Sequence, residues 1–157
     1  MRLAVGILLI CAAAALFLLT GCTSLRESAH TATAVDAATT AIGVGSGLAV
    51  EVNPLVNSPA AFAALMLSRV VGTEIADQMH EPARTETLAG LNAMWWGVSI
   101  SNVLVLIAAS NPVSMIAGAM VALGWWNSTA QQREFAAWCA QERLSNPGLL
   151  CVYTHPI

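Results

Sequence analysis

Glu74, Asp77 and His80 are the nearest this sequence comes to a metal-ligand cluster, since all three residue types bind divalent cations. On one helix, however, positions 74 and 80 stand about 240° apart. The spacing therefore predicts a solvated helix end, and no metal site is expected. The glycine-bearing run at 43–47 (GVGSG) lacks the strand, lysine and downstream acid of a phosphate-binding loop, so helix packing explains it better. No Ser/His/Asp or Cys/His constellation has a usable context: His155 stands alone, and Cys139 and Cys151 are better explained as a disulfide in an exported tail. Catalysis is not expected. The chemistry that remains is electrostatic, because Asp36 and Arg69 each stand alone in a long apolar stretch. A charge at the middle of a membrane helix costs about 2.5 to 3.5 kcal/mol on insertion scales, so each needs a partner.

The composition says which elements must position these charges. The chain of 157 residues is 57% hydrophobic and 10% charged, too apolar for an ordinary soluble domain of this size. Its basic residues are all arginine and the net charge is -3, which leaves no basic surface for nucleic acid. Residues 31–50 carry one charge, Asp36, and residues 52–73 carry one, Arg69. A turn at 51–54 (EVNP) separates them, which predicts two helices, each long enough to cross or nearly cross a bilayer. Residues 76–86 read as a solvated loop. From Thr87 to Gln132 there is no charged residue, and the only break is Ser110-Asn111-Pro112, which predicts a transmembrane hairpin. Trp95/Trp96 and Trp125/Trp126 both fall ~22 Å from that break at 1.5 Å per residue, so they are expected to share an interfacial aromatic belt. Core tryptophans of a soluble bundle are the alternative.

The N-terminus supplies a compartment. Arg2 precedes an apolar run at 3–19, and the small residues Thr20 and Gly21 follow, a cleavable-signal layout. Leu19-Thr20-Gly21-Cys22 resembles the bacterial lipobox, and that resemblance implies a diacylglyceryl lipid on Cys22 and cleavage just before it. With Cys22 outside, four helices return residues 128–157 to the periplasm, where Cys139 and Cys151 would oxidise.

Counting inward from the turn puts Asp36 and Arg69 at the same depth, ~18 to 21 Å from the inner end, so they are expected to pair. Asp36, Thr40, Gly43 and Gly47 recur on one helix face, where the two glycines allow a close neighbouring backbone, expected to be the Arg69 helix. Asn102 is expected to bond across helices. Asp36-x-x-Thr39-Thr40, then Glu51-x-Asn53-Pro54, then Arg69 and Asn102 make residues 33–108 resemble a group of small, uncharacterised multi-helix bacterial membrane proteins. The resemblance implies a polar network of Asp36, Thr39, Thr40, Glu51, Asn53, Arg69 and Asn102.

The sequence as a whole predicts an all-α protein, a transmembrane four-helix bundle of two antiparallel hairpins with a short periplasmic helical tail. Its divisions are a signal peptide at 1–21, a tether at 22–33, a membrane domain at 34–127 and a disulfide-bearing tail at 128–157. No cofactor is expected beyond the lipid on Cys22. Expected partners are the lipid bilayer and other envelope proteins or a second copy, in the inner membrane, with the outer membrane as alternative. A structural or interaction role is expected. The alternatives are an intramembrane proton or ion relay in a transporter-like subunit, a phage- or mobile-element-encoded envelope accessory, and a soluble periplasmic lipoprotein.

Overall fold

The computed structural model describes residues 24–45, 58–107 and 111–153. The signal peptide, Cys22, Gly47, Glu51 and Asn53 lie outside the described residues. The described residues form five helices and no strand: α1 (Leu25–Gly45), α2 (Pro59–Asp77), α3 (Ala83–Leu106), α4 (Asn111–Ser128) and α5 (Ala130–Ser145). Two of them, α2 and α3, are long and apolar enough to cross a membrane.

The stretch read as a tether is helix from Leu25 onward. Its start is fixed by a capping box: Glu27 N donates to Ser24 Oγ at 3.2 Å and Ser24 N donates to Glu27 Oε2 at 3.0 Å. Two amide donors that the helix cannot use internally are thereby satisfied. The polar side chains of this stretch are not all solvated, since Ser28 is buried.

At α2, Pro59 occupies the first turn and the Ser58 hydroxyl accepts from Ala61 N at 3.2 Å, which starts the helix at 59, later than the expected 52. α2 then continues to Asp77, and α3 begins at Ala83, so the loop expected over 76–86 shrinks to 78–82. The Glu81 carboxylate accepts from Thr85 N at 3.1 Å and serves the first turn of α3. α4 runs almost unbroken into α5. Thr129 N donates to Trp125 O at 3.2 Å and Arg133 N to Thr129 O at 3.0 Å, which carries the helical bonding across the junction.

Contacts fix the chain directions. His30 meets Glu74 and Asp36 meets Arg69, so α2 runs antiparallel to α1. Gly97 lies against Gly118 and Gly90 near Trp126, so α4 runs antiparallel to α3. α3 is the central helix, packed along α1 on one side and α4 on the other, with α2 at the margin.

The core is small and mixed. Ala29, Ala32, Trp95 and Trp96 make its apolar cluster, with Val35, Leu91, Val121 and Trp125 against it. Trp96 and Trp125 stack at 5.9 Å between ring centroids, so the two tryptophan pairs do share a level. Their placement differs from an aromatic belt, because Trp95 and Trp96 are buried between helices. The reason is the small residues on α1, Ser28, Ala29 and Ala32, which leave space that only large rings on α3 fill.

In the tail, Cys139 and Cys151 form a disulfide with their Cα atoms 6.2 Å apart. Phe135 touches both Trp138 (5.6 Å) and Tyr153 (5.4 Å), and Arg143 Nε donates to Leu149 O at 3.1 Å, so the chain folds back along α5. A bridge closing a loop of this size constrains the tail by about 3 kcal/mol in the chain-entropy model. Cys139→Ser is therefore expected to make residues 146–153 the earliest cleavage site in limited proteolysis while α1–α4 cleave as before. An equally resistant tail would assign its order to the Phe135 contacts alone.

Candidate functional site

Four hydrogen-bonded rungs join α1 to α3, each about one helical turn after the last. Asn92 Nδ2 donates to Leu25 O at 2.7 Å. The Trp96 indole donates to Ser28 Oγ at 3.1 Å. The Ser99 hydroxyl reaches Ala32 O at 2.9 Å. Asn102 Nδ2 donates to Asp36 Oδ1, and to Thr40 Oγ1 at 3.2 Å. Both helices count upward along this ladder, from 25 to 36 and from 92 to 102, so α1 and α3 are parallel. The alternation of all four directions follows. A hydrogen bond of this kind contributes about 0.5 to 1.5 kcal/mol net, and its directionality makes the ladder a device that sets register as well as adding strength.

Its last rung opens into an ion pair. Arg69 Nη1 donates to Asp36 Oδ2, and the Arg69 guanidinium lies over the Trp95 ring, 5.9 Å from its centroid. The Asp36 side chain is 3% exposed and that of Arg69 14%. With Asn102 on one carboxylate oxygen and Arg69 on the other, Asp36 ties α1 to both α2 and α3. This is where the expected Asp36, Thr40, Arg69 and Asn102 come together. Thr39 belongs to it only by position, since its hydroxyl bonds back to Val35 O (2.9 Å) and Asp36 O (3.1 Å) of its own helix.

A second charged layer closes the α2–α3 end of the bundle. Arg26 Nε and Nη2 donate in parallel to the two oxygens of Glu74, each at 3.0 Å, and His30 Nε2 lies 2.7 Å from Glu74 Oε1. Arg84 joins Asp77 to Glu81. Glu74 and Asp77, two members of the candidate metal set, thus bind guanidinium groups, and His80 is exposed. Among the described residues no group of three or more His, Cys, Asp or Glu side chains could hold a metal ion.

A close backbone approach of the kind that glycines permit joins α3 to α4. A Cβ added to Gly97 would lie 2.8 Å from Gly118 O, and one added to Gly118 would lie 2.5 Å from Gly97 O. Gly43 is buried on α1, while Gly47 is among the residues not described. α1 gives most of its packing to α3 instead of α2 because its small residues admit the Trp95 and Trp96 rings there.

Asn92, Ser99, Ser28 and the Gly97/Gly118 pair escaped sequence reasoning. A signal existed for most of them: Asn92 is an amide in the same charge-free run that singled out Asn102, and Gly97-x-x-x-Ser101 is a small-x-x-x-small spacing. No family model, curated protein or solved structure matches the chain.

Proposed function

We propose that this protein is a membrane-embedded lipoprotein of the bacterial cell envelope, acting as a structural or interaction component and not as an enzyme. Cys22 carries the lipid, α1 to α4 cross the inner membrane, and the N-terminus and the α5 tail lie on the periplasmic side. One observation carries the reading: about half of the buried residues are polar, while the outward faces of α2 and α4 are apolar. Ser28, Thr33, Asp36, Thr39, Thr73, Thr85, Asn92, Ser99 and Ser114 are buried, whereas Val113, Met115, Ile116, Met120 and Leu123 of α4 are 57 to 68% exposed, as is Leu67 of α2 at 62%. In water so many exposed large apolar side chains beside so polar a core would be unfavourable. In a bilayer that distribution is the expected one, because lipid covers apolar side chains while polar groups must satisfy each other within the protein.

An assembly role is favoured over a proton or ion relay because both oxygens of Asp36 are engaged, by Arg69 and by Asn102, which suits a fixed joint between three helices. The envelope components it meets are the bilayer and other envelope proteins or a second copy. The test is alkaline carbonate extraction followed by protease treatment of intact periplasm-exposed membranes. The chain should stay in the pellet, with α1 to α4 protected and 130–153 cut. Cleavage throughout 87–128 would overturn the membrane-embedded reading in favour of a soluble domain tethered by its lipid, and release into the supernatant would overturn the lipid anchor as well.

A further inference from the structure

We infer that α2 is a releasable helix, latched by charge onto a core made of α1, α3 and α4; the inference rests on the membrane reading above. Of the nineteen residues of α2 only Thr73 and Ala76 are buried. Its large apolar side chains Leu67, Val70, Val71 and Ile75 point outward and are 38 to 62% exposed. Toward the core it buries the Thr73 hydroxyl and the small Ala76, and its specific partners there are charged. Arg69 holds Asp36 and lies over Trp95, Glu74 takes the forked pair from Arg26 and the His30 ring, and Asp77 takes Arg84 and, at 3.7 Å, Arg26.

The other contacts are of a different kind. α3 and α4 meet backbone to backbone at Gly97 and Gly118, and α1 and α3 share the buried tryptophan cluster and the hydrogen-bonded ladder. In a bilayer, separating apolar surfaces costs little, because acyl chains replace the lost neighbours. A helix whose inward contacts are ionic therefore has its position set by those ion pairs, while one held by interlocked backbones and rings does not. Because α2 is itself long and apolar enough to span a membrane, it remains inserted once released. Release uncovers Asp36 on the core, a buried acid that a helix with its own basic group could occupy.

The test follows two engineered thiols in the full chain, in membranes already washed with carbonate. Thr73→Cys sits on the buried, inward face of α2. Ser28→Cys sits at the same depth, between Arg26 and His30, but in the α1–α3 interface. The chain without an added cysteine sets the background of maleimide labelling. Arg69→Met is expected to raise the labelling rate at position 73 about 100-fold, as loss of one partner of a buried pair shifts the docking equilibrium, with position 28 still protected. Glu74→Gln, at the exposed layer, should raise it by a smaller factor. Labelling of both positions would mean that the bundle loosens as a whole, and labelling of neither would mean that packing holds α2; each overturns the latch. Loss of the chain in the carbonate wash overturns the membrane reading, and the latch falls with it.

Discussion

Arg69→Met is expected to cost about 3 to 5 kcal/mol, the range for removing one partner of a buried ion pair, and to be more damaging than Asp36→Ala. The asymmetry follows from reach. Asp36 is a short side chain, 3% exposed, whose Asn102 donor is neutral and cannot replace the charge of the guanidinium once that is gone. Arg69 without Asp36 still lies over Trp95 and has a long stem five residues from Glu74 on its own helix, along which it can reach toward the charged layer. The combined change of Asp36→Ala with Arg69→Met should be milder than Arg69→Met alone, because two buried charges leave together. The thermal midpoint of the detergent-solubilised protein reads all three. If the double variant is as damaged as the sum of the singles, the pair is not the unit argued here. The same double variant separates assembly from relay, since a relay loses its activity whatever the stability.

Gly118→Ala is expected to lower the same midpoint sharply, at the upper end of the overpacking range, about 3 kcal/mol. The added methyl would meet a backbone carbonyl, Gly97 O, at 2.5 Å and the Ser101 side chain at 3.1 Å. A side chain could rotate away, but a carbonyl inside a helix moves only if the helix moves, so α3 and α4 must separate along their length. Gly97→Ala meets Gly118 O at 2.8 Å and should behave alike. Gly124 supplies the control on the same helix. Nothing lies within 4 Å of its added Cβ, so Gly124→Ala should be neutral or raise the midpoint slightly, by the better helix propensity of alanine. Equal effects at 118 and 124 would remove the close crossing from the account of how α3 and α4 pair.

These two sites show how far apart local and tertiary information lie in a chain this apolar. Capping and breaks are local, and they were legible or nearly so: Asn111-Pro112 opens α4, Asn146-Pro147-Gly148 ends α5, and Ser24-x-x-Glu27 starts α1 although its polar neighbours made it read as a tether. The reach of the Asp36 and Arg69 side chains toward one another follows from counting residues at a fixed rise. The cysteine pair needed only a compartment and a short loop.

The sequence by itself determined that the protein is helical, where most helices break, and which charges must find each other, because those properties depend on residue type and on 1.5 Å per residue. Only the tertiary structure decided which faces meet. In a soluble helix an apolar stripe marks the inside, but α3 and α4 are apolar nearly all round, so hydrophobic pattern carries no facing information. Facing is then chosen by small residues that permit approach and polar groups that need partners. That choice put Trp95 and Trp96 inside, made α3 the centre, and brought Gly97 of α3 against Gly118 of α4.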